Sequence, residues 1–323
     1  CREGDLILAD ASEDLSDVGK SIEIKNLNNE KVLSGLHTIH VRPDPNTFSV
    51  GFLGYLMKSN TIRIQIQKES QGTKVLSISN GRLSKIQMKY PTLPEQQKIA
   101  SFFTAIDKKI FQLKRKKSLL EQYKKGVMQK IFSREIRFRD DNGREFPEWE
   151  EKNGNEIFRT VSNKNHNSDL PILAITQDQG AVPRNMIEYN ITVSDKSVES
   201  YKVVEKGDFI ISLRSFQGGI EYSNYRGICS PAYIILRATT RIDVRYFKFY
   251  FKTDKYITDL NRKLEGIRDG KMVSFKYFSE IKINTPSLPE QTKIANFLSS
   301  IDDKINQTQT QIEKAERWKK GLL

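Results

Sequence analysis

The chain has 323 residues, of which 37% are hydrophobic, 29% charged and 10% aromatic, enough for two ordinary cores and a connecting element. A net charge of +13 points to a polyanionic partner, most often nucleic acid, though an anionic membrane would fit the charge alone; no apolar run approaches a membrane span and no signal-peptide pattern is read. Cys1 and Cys229 are the two cysteines, which excludes a disulfide framework and makes a cytoplasmic location the default; His37, His40 and His166 show no metal-ligand spacing with them, so no metal is expected.

The first globule is expected over residues 1–90. Leu6-Ile7-Leu8 is an apolar run, and Ile62-Arg63-Ile64-Gln65-Ile66 alternates at the period of a half-buried strand. Turns are expected at clusters such as Arg42-Pro43-Asp44-Pro45-Asn46. The opening run Arg2-Glu3-Gly4-Asp5-Leu6-Ile7-Leu8 has a counterpart in Glu205-Lys206-Gly207-Asp208-Phe209-Ile210-Ile211, which lies well inside its own globule. On that comparison the first globule is expected to lack its N-terminal part.

A long helix follows, assigned to residues 91–135, with Pro94 at its first helical position and Glu95 meeting the positive end of the helix dipole. Ile99, Ile106, Leu113, Leu120 and Val127 recur every seven residues, with Phe103 and Ile110 between them. This is the pattern of a coiled-coil seam, weakened at Lys117 and Lys124. From Pro94 to Arg134 eleven basic residues face three acidic ones, and Lys114, Arg115, Lys116 and Lys117 form the densest stretch. A solvated helix face does not account for this excess, so these four are expected to meet phosphates or an acidic partner.

Beyond a charged, turn-rich connector, a second globule is expected, the whole spanning residues 136–285. Its most informative stretch is Ser212-Leu213-Arg214-Ser215-Phe216-Gln217-Gly218-Gly219, directly after the apolar strand Phe209-Ile210-Ile211. Arg and Gln can pair bidentately with guanine and adenine edges, and glycines permit close backbone approach. The alternative is a glycine-rich hairpin loop with a solvated Arg. Arg214, Ser215, Gln217, Gly218 and Gly219 are therefore DNA-binding candidates, together with Arg226, Arg268 and Lys271 of this globule and Ser12 and Lys20 of the first. At the matching place the first globule reads Ala9-Asp10-Ala11-Ser12-Glu13-Asp14, a different loop on one scaffold, as two readers of different sequences would need.

Three catalytic patterns nearly appear and are discounted. Val18-Gly19-Lys20-Ser21 resembles the end of a phosphate loop but has Asp14 where the first glycine is needed. Ser230-Pro231-Ala232-Tyr233 resembles a methyltransferase tetrapeptide without a glycine-rich cofactor strand, and reads as a strand edge. Glu23-Ile24-Lys25 and Glu280-Ile281-Lys282 have nuclease-like spacing without a partner acid.

A second long helix, over residues 286–323, closes the chain and repeats the first. PTLPEQQKIASFFTAIDKKI, from Pro91, matches PSLPEQTKIANFLSSIDDKI, from Pro286, and half of the positions through Gly126 and Gly321 are identical without a gap. Its seam is Ile294, Leu298, Ile301, Ile305, Ile312 and Ala315, with Thr308 as a polar break. An internal repeat of this length marks two copies of one globule-plus-helix unit, and two seams in one chain can bury each other. The fold expected is mixed α/β, with two globules separated by long antiparallel coiled-coil helices related by a pseudo-twofold repeat.

The doubled Leu-Pro-Glu-Gln…Lys-Ile-Ala…Ile-Asp…Lys-Lys-Gly segments resemble the repeated regions of specificity (S) subunits of type I restriction-modification systems. Phe146-Pro147-Glu148-Trp149 and Gly207-Asp208-Phe209-Ile210-Ile211-Ser212 resemble the target recognition domains of that family. The resemblance implies a non-catalytic subunit without a cofactor of its own, each globule reading one half of a bipartite double-stranded DNA target. Methylation (M) subunits, which bind S-adenosylmethionine, and ATP-dependent restriction (R) subunits would supply the chemistry, and no membrane is involved. The rivals are a coiled-coil assembly scaffold without sequence-specific binding, and a stand-alone nuclease or methyltransferase. A helix from Pro94 to Phe132 would span about 60 Å, enough to hold two readers over successive major grooves.

Overall fold

The computed structural model describes residues 1–167, 169–187, 198–262 and 273–323. The chain is mixed α/β and forms two compact units. One holds Cys1–Leu119 with Ile305–Leu323, the other Leu120–Lys304, so each unit combines a globule with part of each long helix.

In the first unit, β1 (Leu6–Ala9), β2 (Ala11–Ser12), β3 (Ser21–Glu23), β4 (Thr38–Val41) and β5 (Leu76–Ser77) are short. They form an antiparallel sheet of order β3-β1-β4 and a separate β2-β5 pair. Leu6 and Leu8 alternate inward from β1, as a half-buried strand requires, and meet Val18, Leu53, Met57, Ile62, Ile66 and Ile78. The expected strand at 62–66 is instead part of a helix, Asn60–Glu69. Ile62 and Ile66 are buried and Ile64 is 42% exposed. Positions i and i+4 satisfy both the strand and the helix period over five residues, and the helical face is the one the sheet covers.

The second unit carries a larger version of this sheet. Its strands are β6 (Glu150–Asn153), β7 (Phe158–Val161), β8 (Leu173–Thr176), β9 (Gly180–Pro183), β10 (Lys202–Val204), β11 (Phe209–Ile211), β12 (Glu221–Tyr222), β13 (Gly227–Cys229), β14 (Ile234–Ala238) and β15 (Lys282–Thr285). The central sheet runs β12-β11-β14-β7, and β8-β9, β10-β13 and β15-β6 pair separately. Its core is aromatic: Phe158, wholly buried, lies 5.3–6.0 Å from the rings of Phe209, Phe247, Phe251 and Phe278. Tyr246–Tyr250 lie in a helix, Val244–Tyr250, with Phe251 directly after it, and Leu53–Leu56 is likewise helical in the first unit.

The repeat is visible atom by atom. Asp5, 1% exposed, accepts from Arg2 N, His40 Nε2 and both Nε and Nη2 of Arg42. Its counterpart Asp208 accepts from Glu205 N at 2.8 Å and from Nε and Nη2 of Arg237 at 2.7 Å each. A buried carboxylate with bidentate pairing is strongly held. The hydrogen-bonded Arg42 guanidinium holds the Asp5 carboxyl well below the usual carboxylate range, against the opposing effect of burial. Because the folded-state value is depressed, this stabilisation is present above the unfolded value of about 3.9 and is lost as pH falls below it. Asp5→Asn should therefore cost on the order of 2 kcal/mol at pH 7. Denaturant melts should show that deficit shrinking toward pH 3, and a pH-independent deficit would contradict it.

The Leu-Pro-Glu-Gln motif is explained by its glutamine. Gln96 and Gln291 are 1% and 2% exposed. Gln96 accepts from Ser49 N and donates to the Pro91 carbonyl, and Gln291 accepts from Asp243 N and donates to the Pro286 carbonyl. Each glutamine thus ties the start of a long helix to the loop before a short globular helix. The long helices run Leu93–Phe132 and Leu288–Leu322.

Within each unit the two long helices are antiparallel and share one device. In the first, Lys319 Nζ pairs with Asp107 Oδ1 and lies 5.4 Å from the Tyr55 ring centre. In the second, Lys124 Nζ pairs with Asp302 Oδ1 and lies 5.1 Å from the Phe249 ring centre. These are the Ile-Asp and Lys-Lys-Gly positions of the repeat, so Lys124, expected to weaken the seam, supports it. Phe103, Ile106, Ile110, Leu113, Ile294, Leu298, Ile301 and Ile312 are buried, and Ile99, Leu120, Val127 and Ile305 half-buried. Thr308, expected to interrupt the seam, is instead 2% exposed within it.

Candidate nucleic-acid interface

Residues 212–220 connect β11 to its antiparallel neighbour β12 through one helical turn, Ser215–Gly218. The turn is built by serines: Ser212 N donates to Ser215 Oγ at 2.8 Å, and Arg214 N donates to Ser212 Oγ at 3.2 Å. Arg214 and Gln217 are exposed. Ser215 is 1% exposed, which corrects its reading as a DNA contact: its hydroxyl holds the loop from inside. Gly219 is also buried, with φ +83°, and a Cβ there would lie 2.1 Å from the Phe251 carbonyl oxygen. This glycine serves approach to its own fold rather than to DNA. Gly218 is half-buried and packs against Gln177, whose Cδ would lie 2.8 Å from an added Cβ.

Gln177 was not singled out by the sequence. It lies in the exposed turn Gln177-Asp178-Gln179 between β8 and β9, and its Nε2 sits 3.5 Å from both the Arg214 carbonyl oxygen and Gln217 Oε1. The turn therefore stands beside the 212–219 loop although 40 residues separate Gln177 from Gln217. Hydrogen-bonding polarity without apolar periodicity gives a sequence no signal for such a pairing.

The remaining candidates are dispersed. Arg226 donates from Nε to Glu205 Oε1 at 3.2 Å, with 63% of its side chain exposed. Arg268 and Lys271 lie outside the described residues. Ser12, on β2, is half-buried and its Oγ accepts from Asp14 N. Lys20 is exposed and ion-paired with Asp17. Lys114 is paired with Glu316 at 2.7 Å, Arg115 and Lys116 are exposed, and Lys117 is half-buried.

The discounted motifs have structural uses. The Glu23 carboxylate accepts from Gly51 N and Gly54 N at the first short helix. Ser230–Tyr233 forms a turn between β13 and β14 rather than a strand edge, closed by Tyr233 N donating to the Ser230 carbonyl. One grouping was not expected: ligand atoms of Cys1, Asp5 and His40 lie within 4.8 Å of one another. The Asp5 carboxylate there is already committed to Arg42 and His40. Among the described residues no helix is long and apolar enough to cross a membrane.

A family model for the type I restriction modification DNA specificity domain matches residues 8–122 and again 147–317, one match for each globule with its helix. The chain belongs to that family. A putative type I restriction enzyme MjaX specificity subunit from Methanocaldococcus jannaschii is 25% identical over 315 residues, which cover 91% of this chain and 71% of the relative. The MjaVIII specificity subunit from the same organism is 24% identical over 277 residues, covering 80% and 65%. Among solved structures, the type I restriction-modification S subunit from M. genitalium superposes with a TM-score of 0.56 at 16% identity, over 99% of this chain and 82% of that one. The HsdS subunit from Thermoanaerobacter tengcongensis gives 0.50 at 18% identity, over 99% and 80%. These two solved structures share the fold of this chain.

Proposed function

We propose that this chain is the DNA-binding specificity subunit of a type I restriction-modification complex, reading a bipartite double-stranded target and directing M and R subunits to it. The globules at 1–90 and 136–285 act as the two readers, and the helices at 91–135 and 286–323 act as the spacer. The chain carries no cutting or methylating centre of its own in this reading. Lys114 to Lys117 contribute contacts to phosphate or to a partner subunit, independent of base identity.

One observation carries the reading. The same Asp–Arg-pinned sheet occurs twice, through Asp5 with Arg42 and Asp208 with Arg237, while the connections after β1 and β11 differ in sequence and shape. A constant scaffold with changed loops is the economical way to read two different half-sites. In that arrangement Arg214 and Gln217 are base contacts of the second half-site. Arg214→Ala in the assembled complex should relax the second half-site at one position, losing about 1–3 kcal/mol of discrimination, and leave the first intact. Mapping methylated bases in cells carrying the variant reads this directly, and an unchanged motif would refute the assignment.

A further inference from the structure

Lys252 follows the helix Val244–Tyr250 and spends its three ammonium protons on three different segments. It donates to the Gln177 carbonyl at 3.2 Å, to the Gly218 carbonyl at 2.8 Å and to Glu221 Oε1 at 2.5 Å. Glu221 lies on β12, 2% exposed, and its second carboxylate oxygen has no hydrogen-bond partner among the described residues. A buried acid and a half-buried lysine therefore hold together the β8–β9 turn and the loop carrying Arg214 and Gln217. Two glycines close the same assembly. Gly180, with φ +76°, brings β9 against the Tyr222 carbonyl, where a Cβ would lie 2.6 Å away. Gly219 does the same against Phe251.

The first unit lacks this clamp. The strand registers place Ile22 opposite Ile7 where Glu221 stands opposite Ile210, and Ile22 is 58% exposed. A buried charged pair is weak evidence for stability, because well-packed apolar residues of similar volume often do as well. Its better-attested use is to fix one geometry among several, and here the geometry fixed is that of two exposed loop tips.

We propose that Lys252 is a positioning residue for the second half-site, and that the turn it fastens presents Gln177 to DNA as a base-contacting residue beside Gln217. The proposal rests on the DNA-reading role given above. Neutral Gln side chains offer the paired donor and acceptor that match an adenine edge in the major groove.

The test uses the full chain assembled with its methylation subunits and a duplex library randomised at both half-sites, with methylated products sequenced. Gln177→Ala should reduce preference at one second-half-site position about 5- to 150-fold and leave the first half-site unchanged. Lys252→Met combined with Glu221→Gln removes the clamp without stranding a buried charge. It should relax several second-half-site positions and speed hydrogen exchange at amides 177–180 and 214–219, with the melting temperature of the chain close to wild type. Lys252→Arg, which keeps the charge, should retain more of the preference than the double variant. Second-half-site preferences unchanged in both Gln177→Ala and the double variant would overturn the proposal while the DNA-reading role stands. So would a double variant that weakens all sequences equally. A wild-type complex with no bipartite preference would instead remove the reading itself, and this inference with it.

Discussion

Phe158→Ala should destabilise the second unit by about 3–5 kcal/mol, the range for deleting a fully buried aromatic ring from a core that cannot collapse around the gap. Phe158 is 0% exposed and touches four other phenyl rings contributed by β11, by the Val244–Tyr250 helix and the residue after it, and by the short helix Phe275–Glu280. Its strand, β7, borders β14, and β14 in turn borders the β11 strand that leads into the Arg214 loop. Loss of this ring should therefore loosen the sheet that leads into the Arg214 loop. Phe111→Ala serves as the control, since that ring is 66% exposed on the long helix and should cost within about 0.5 kcal/mol. Urea unfolding of both variants decides the matter: a Phe158→Ala loss no larger than that of Phe111→Ala would mean the aromatic cluster does not bear the fold.

The two-unit plan and both seams were legible because periodicity and duplication are properties of sequence alone. Seam residues such as Ile106 and Leu298 are buried where the heptads placed them. The error at Ile62 to Ile66 came from a segment too short to separate a period of 2 from 3.6. Lys124 and Thr308 misled for another reason. A polar residue at a seam position is read as a fault until its partner is seen, and the partner of Lys124 lies on the other helix. The candidate site was legible only in part. Arg214 and Gln217 stand out in the sequence because strand, Arg, Gln and Gly lie together in the chain, and both are exposed on that loop. Ser215 and Gly219 were assigned to DNA, whereas burial turns both toward the protein interior. Gln177 and Lys252 left no trace, because their meeting depends on contacts 75 residues apart.

Inserting four residues into only the first long helix, near Leu113, should abolish methylation. Inserting four residues there and four more near Thr310 of the second should restore it with a longer unspecified gap between half-sites. Asp107 precedes Lys124 by 17 residues on one helix, and Asp302 precedes Lys319 by the same 17 on the other. Antiparallel helices of matched spacing satisfy both pairs at once. A single insertion puts one pair out of register by about 6 Å, at ~1.5 Å per residue, and forces a seam to slip or a pair to break. Matched insertions return both pairs to register, and four residues is close enough to a full helical turn to keep Leu113 and Ile312 on their buried faces. The gap should then grow by roughly 2 base pairs, since about 34–36 Å of duplex holds 10–10.5 base pairs. Mapping methylated bases in cells carrying each variant distinguishes the outcomes. A singly inserted protein with full activity would show that the ion pairs do not set the register, and a doubly inserted protein with an unchanged gap would show that the helices are not the ruler.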